Sequence, residues 1–274
     1  MTWAIESHQL TRYFDAFCAV NAIDLKIERG TFYGFLGPNG AGKSTTIKML
    51  TGLLAPTHGE IRVLGKNMLD PREAIEAKGR VGVIPEDLAL FDNLTAREYL
   101  TFIGRMYSVP RATIRSRTDE LLAILDLAGE EKKLTLEYSH GMKKKLALAA
   151  ALLPNPDLLF LDEPFEGVDA VTSRVIRDLL AGFVARGSTV FLTSHVLEIV
   201  ERLCSHVAII HQGRLVAQGS LEELRAGVEA QTPAGSGDGT GDGSAPGEKM
   251  TLEQIFLRTV GGSRRTDQEL SWLG

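Results

Sequence analysis

Residues 32–45 read FYGFLGPNGAGKST, and the way this stretch is built decides the fold. FYGFL is a short apolar run without polar alternation, the pattern of a strand covered on both faces of its sheet. TTIKML, which begins at Thr45, has a helical pattern. Between strand and helix lies GPNGAGKST, residues 37–45. Gly37, Gly40 and Gly42 let the backbone curl so that successive N–H groups point inward, and Pro38, Asn39 and Ala41 complete the loop. A helix N-terminus opening at Lys43, Ser44 and Thr45 adds a dipole that favours anions. Lys43 is placed to reach β- and γ-phosphates, and Ser44 to offer a hydroxyl to Mg²⁺. The stretch reads as a nucleotide phosphate site.

Working outward, the next informative segment is LLFLDEP, residues 158–164. Its apolar run ends in two acids, which puts both carboxylates at the tip of a buried strand, where open α/β folds bind ligands. Asp162 is expected to hold Mg²⁺ through water, and Glu163 to orient or deprotonate an attacking water. Further buried strands are expected over 32–36, 157–161, 189–193 and 207–210. Thr95 with Glu98, and Ser220 with Glu223, have the spacing of capping boxes and mark helix starts. Residues 95–153 read as mostly helical, with no convincing strand, which breaks the αβ rhythm and implies a helical subdomain inserted into the core. Residues 231–247, QTPAGSGDGTGDGSAPG, read as a flexible linker, because a calcium-binding β-roll would need apolar residues that are missing. After it, Thr251 with Gln254 opens a short amphipathic helix, TLEQIFLRTV, expected to dock back on the body.

Bulk properties narrow the function. A net charge of −5 argues against nucleic-acid binding through a basic surface. The two cysteines, Cys18 and Cys204, match no metal or redox spacing and suggest reduced thiols in a cytoplasm. MTWAIESHQL shows no export signal, and the longest apolar run, 146–153, is far below the ~18 residues that span a bilayer. Solubility is expected, with any membrane role exerted through a partner.

Taken together, these motifs resemble the ATP-binding subunits of ABC transporters over residues 3–224. The resemblance implies an α/β P-loop NTPase core, with a mixed sheet flanked by helices, an antiparallel β subdomain and the inserted helical subdomain. It implies an ATPase domain over 1–224, a linker over 225–249 and a helical tail over 250–274. YSHGMKKKL, residues 138–146, stands where the family has LSGGQ: Ser139 and Gly141 match, whereas Tyr138, His140 and Met142 depart. In the family this segment contacts the γ-phosphate held by a second subunit, so Ser139 and Gly141 are expected to complete the partner's site. GVDA, residues 167–170, corresponds to the family's D-loop and puts Asp169 at the dimer seam. His195, in TVFLTSH, takes the position of the switch histidine, which bonds γ-phosphate and catalytic acid together. LTRYFDAFCAV resembles the adenine-stacking segment, with Phe14 fitting the spacing best and Tyr13 the alternative. In VGVIPED, Glu86 stands where the family carries a glutamine that contacts the metal, so its metal contact is less secure than that of Ser44.

The implied activity is ATP hydrolysis with Mg²⁺, driving closure of a dimer and, through a separate permease, transport. The implied partners are that integral-membrane permease, met near FDNLTAREYL (91–100), and a second copy of the chain. The exporter branch is favoured by VGVIPED, YSHGM and TLEQIFLRTVGG, which places the protein in the cytoplasm, peripheral on the inner face of the membrane. Soluble ABC proteins of translation or repair carry two cassettes or a coiled-coil insertion, neither of which is seen here. A GTPase would need an NKxD motif, which is absent.

Overall fold

The computed structural model describes residues 2–230 and 250–260. In chain order the strands and helices are β1 (Trp3–Phe14), β2 (Phe17–Glu28), β3 (Phe32–Leu36), α1 (Lys43–Leu50), β4 (His58–Val63), β5 (Lys66–Asn67), α2 (Pro71–Lys78) and β6 (Val81–Ile84). There follow α3 (Ala96–Met106), α4 (Arg111–Ile124), α5 (His140–Leu152), β7 (Leu158–Asp162), α6 (Ala170–Ala185) and β8 (Thr189–Ser194). The chain continues through α7 (Leu197–Leu203), β9 (His206–His211), β10 (Arg214–Ser220), α8 (Leu221–Ala230) and α9 (Leu252–Val260).

Among the described residues the strands form two sheets. One is antiparallel, in the order β2-β1-β4-β5; the other is mixed, in the order β10-β9-β3-β8-β7-β6. In the mixed sheet only β10 runs antiparallel to its neighbour. Because its central strands are parallel, their connections cross over as helices and cover both faces. That is why FYGFL, LLFLD and TVFLTS are buried at every position.

The pleat still sorts these side chains into two cores. Tyr33, Phe35, Phe160 and Phe191 face the antiparallel sheet, α1 and α2. Phe191 sits at the centre of that cluster, with ring centroids 5.4 Å from Phe35, 5.5 Å from Phe160 and 5.8 Å from Tyr33. Their neighbours Leu36, Leu159, Leu161, Val190 and Leu192 point the other way, into a core shared with α3, α5, α6 and α9. Each such side chain removed from water contributes about 1.5–3 kcal/mol.

The consequence for function is positional. β3, β8, β7 and β6 lie side by side and parallel, so the loops leaving their C-terminal ends emerge at one edge. Those loops carry Gly37–Gly42, His195, Glu163 and Glu86.

The expected strands 157–161 and 207–210 appear as Leu158–Asp162 and His206–His211. α3, α4 and α5 occupy the stretch expected to be helical, together with short 3₁₀ turns at Ala128–Glu130 and Thr135–Glu137. Both expected capping boxes form: Thr95 N donates to Glu98 Oε2 at 2.9 Å and Ser220 N to Glu223 Oε2 at 2.8 Å; at the start of α9, Thr251 N likewise donates to Gln254 Oε1 at 3.0 Å. One boundary differs. Residues 225–230, expected in the linker, continue α8, because the Ser220 cap starts a helix and Leu224 anchors it in the core. The 231–247 segment lies outside the described residues. α9 docks as anticipated, with Leu252 and Ile255 buried against α7 and α8. Among the described residues no helix is long and apolar enough to cross a membrane.

Candidate functional site

A cleft of about 560 Å³ opens at the sheet edge where these loops meet. Its floor is Asn39, Gly40 and Gly42 with Lys43, Ser44 and Thr45 at the start of α1. Two of the loop glycines are in the left-handed region, Gly40 at φ 76° and Gly42 at φ 110°, a conformation glycine adopts without steric cost. Gly37 is required for a different reason: a Cβ there would lie 2.4 Å from the Ile210 carbonyl oxygen. The β9–β10 turn props the loop from behind, with Gly213 N donating to Ala41 O at 3.0 Å.

Lys43 is buried, and its Nζ donates to Gly37 O at 2.9 Å. The same ammonium stands 3.5 Å from Glu163 Oε1, a buried oxygen with no hydrogen-bond partner. The other oxygen, Oε2, faces Nδ1 of half-exposed His195 at 3.0 Å and accepts from His195 N at 3.2 Å. The three side chains thus form a continuous chain, Lys43–Glu163–His195, along one wall of the cleft.

The backbone holds this carboxylate deliberately. Glu163 has φ 48°, an uncommon value for a residue with a Cβ. Three bonds fix it there. Glu163 N donates to Thr193 Oγ1 at 3.0 Å, and that hydroxyl donates to Asp162 Oδ1 at 2.5 Å, so one β8 side chain positions both acids. From below, Lys144 Nζ donates to Glu163 O at 2.9 Å. Burial pushes the Lys144 ammonium below the ordinary lysine range, opposed by the nearby charges of Glu166, Glu163 and Glu86.

Ser44 Oγ donates to Glu86 Oε2 at 3.3 Å, which brings Glu86 beside Ser44 in the cleft. Ser44 and Glu86 offer the cleft hard oxygen donors, the chemistry Mg²⁺ prefers, whereas Asp162 is buried, bonded to Thr193, and not among the cleft-lining residues. Among the described residues no group of three or more His, Cys, Asp or Glu could hold a metal by itself. Mg²⁺ usually keeps waters and substrate phosphates as its remaining ligands, so the donor set fits that ion shared with phosphate.

At the far end the cleft is closed by Phe14, Phe17 and Ala19. Phe14 and Phe17 are paired across the β1–β2 turn, and both rings are exposed, at 42% and 65%. Arg12 stacks its guanidinium 4.7 Å from the Phe14 ring centroid. Tyr13 pairs instead with Cys18 and is not among the cleft-lining residues. Phe17 escaped the sequence reading although it sits three positions beyond Phe14, because only the hairpin turn pairs the two positions at the cleft.

Ser139, Gly141 and Asp169 do not line this cleft. Ser139 caps α5, accepting from Met142 N at 3.3 Å. Beside Gly141 the space is open, with nothing within 4 Å of where a Cβ would stand. Asp169 caps α6 by accepting from Thr172 N at 2.9 Å and Thr172 Oγ1 at 2.7 Å, bonds that lower its carboxyl pKa. Thr193 and Lys144 were also missed, since neither a strand threonine nor one lysine of a run of three stands out before folding.

The family model described as ABC transporter matches residues 20–166. The daunorubicin resistance ATP-binding protein DrrA3 of Streptomyces coeruleorubidus is 39% identical over 208 residues, covering 76% of this chain and 65% of that protein. The Nod factor export ATP-binding protein I of Paraburkholderia xenovorans (strain LB400) is 39% identical over 225 residues, covering 81% of this chain and 72% of that protein. Among solved structures, an ATP-binding subunit of an ABC transporter superposes with a TM-score of 0.82 at 28% identity, covering 93% of this chain and 99% of that one.

Proposed function

The chain belongs to the ABC transporter family of ATP-binding proteins, and on that premise we propose that it hydrolyses ATP to drive a separate membrane permease, outward. The observation that carries this reading is the Lys43–Glu163–His195 chain of contacts beside a phosphate-binding loop. ATP would lie with its phosphates over the 37–45 loop, where inward N–H groups and the α1 N-terminus favour anions. Its γ-phosphate would replace the Glu163 carboxylate as the partner of Lys43. Glu163 Oε1, relieved of that ion pair, would then accept a proton from the attacking water. His195, held by Oε2, would keep the carboxylate aimed and bond the γ-phosphate. Ser44 and Asp162, with Glu86 beside them, would hold Mg²⁺, which when bound supplies charge neutralisation to the transferring phosphoryl group. Phe14 and Phe17 offer π-faces to adenine, a contact that gives affinity with little choice of base.

The site is completed by a second copy. Ser139 and Gly141 lie away from their own cleft, on a capped helix N-terminus with open space beside it, which suits contact with the partner's γ-phosphate. Asp169 would lie at the seam. The permease would meet the exposed aromatic cluster of Phe91 and Phe102, whose rings stand edge to face at 5.1 Å. Docked there, the protein works from the cytoplasm on the inner face of the membrane. Outward direction rests on the resistance and export functions named for its relatives. The test is reconstitution with the co-purified permease in vesicles. ATP hydrolysis stimulated by that permease supports the reading; no ATPase activity with or without it contradicts the reading.

A further inference from the structure

We propose that Lys144 is a positioning residue for Glu163, and that it ties the helix facing a second subunit to the catalytic turn of its own chain. The inference rests on the reading of Glu163 as the water-activating acid.

Lys144 lies one turn into α5 and is only 6% exposed. Its ammonium spans the turn that follows β7, donating to Glu163 O at 2.9 Å and also to Glu166 O. Both acceptors are uncharged carbonyls. A lysine buried without a direct carboxylate partner is disfavoured unless its N–H groups are well used, so these two bonds are what keep it there. The turn they grip is conformationally demanding at Glu163, with φ 48°, while Gly167 at φ 67° takes a conformation open to glycine. Such residues persist where surrounding contacts over-determine them.

α5 touches the same turn a second time. A Cβ on Gly167 would lie 3.0 Å from His140 Cδ2 and 3.2 Å from Nε2, so the imidazole rests against the glycine backbone. The start of α5, with Ser139, His140 and Gly141, is therefore tied to residues 163–167 by the Lys144 bonds, with the His140 ring close beside Gly167. A push on that helix N-terminus from nucleotide in a partner's site moves the Glu163 carbonyl, and with it the carboxylate. Lys144 is the link between the two sites.

The experiment is steady-state ATPase kinetics of the full chain carrying Lys144→Met or Lys144→Arg, each in parent and Glu163→Gln backgrounds, with ATP affinity measured separately. Methionine keeps the apolar stem and deletes the donors; arginine restores donors. We expect Lys144→Met to lower kcat at least ~10-fold, as misplacement of a reacting group does, while KM and ATP affinity stay within about twofold. Arginine should recover most of the lost kcat. On the Glu163→Gln background, Lys144→Met should change the residual rate by less than about twofold, because the two residues act as one unit. An unchanged kcat for the Met variant, or independent multiplicative losses in the double variant, overturns the proposal. Should the Met variant fail to bind ATP, Lys144→Gln decides by the same cycle. A Glu163→Gln protein that hydrolyses at the parent rate removes the reading of Glu163 instead, an outcome separable from the contact itself.

Discussion

Lys43 is proposed to have two duties, and only one is visible in GPNGAGKST. The motif assigns it to phosphate; the structure adds the buried ion pair with Glu163. Lys43→Ala should abolish the heat of ATP binding in calorimetry. It should also destabilise the fold by about 3 kcal/mol, because it strands a buried carboxylate. Adding Glu163→Gln should restore much of that loss in urea titrations. Equal stability of parent and Lys43→Ala would show that the pair carries no weight. The adenine end gives a second test at this scale. Replacing Phe14 or Phe17 by Ala should cost about 1–3 kcal/mol of ATP affinity if that ring stacks on the base. Affinity unchanged in both variants would move the base elsewhere. Residues that act through local backbone chemistry, such as Gly40, Gly42 and Lys43, were legible because their spacing alone dictates the loop. Phe17, Thr193 and Lys144 were not, because their roles arise from contacts across strands and helices far apart in sequence.

The elements most readily anticipated were those with one dominant local signal. Fully apolar runs gave β3, β7 and β8, and side-chain caps gave the starts of α3, α8 and α9. β1 and β2 were harder to read: their pairing has several register shifts, and Gln9, Asp15 and Ala22 take positive φ, so simple alternation fails. The end of α8 was also misjudged: the helix runs on to Ala230, past residue 225 where the linker was expected to begin. α9 supplies the test at this scale. Ile255 is 1% exposed in the core shared with α7 and α8. Ile255→Ala should destabilise the protein by about 2–5 kcal/mol in urea unfolding, the range for large-to-small changes at buried sites. A cost below about 0.5 kcal/mol, typical of surface substitutions, would mean that α9 is not part of the folded body.

At the scale of the whole molecule, four parallel strands deliver one half of the proposed catalytic site to a single sheet edge, while the α5 N-terminus presents Ser139 and Gly141 elsewhere. ATP is proposed to join the two halves across two copies of the chain. Glu163→Gln tests it most directly, because the amide keeps size and hydrogen bonding but cannot take the proton. Light scattering coupled to size-exclusion chromatography should find this variant monomeric without nucleotide and dimeric with ATP, while hydrolysis falls at least ~100-fold. Adding Ser139→Arg should return it to a monomer, as a bulky cation would occupy the γ-phosphate contact. A Glu163→Gln protein that binds ATP yet stays monomeric at every concentration tested would contradict the shared site.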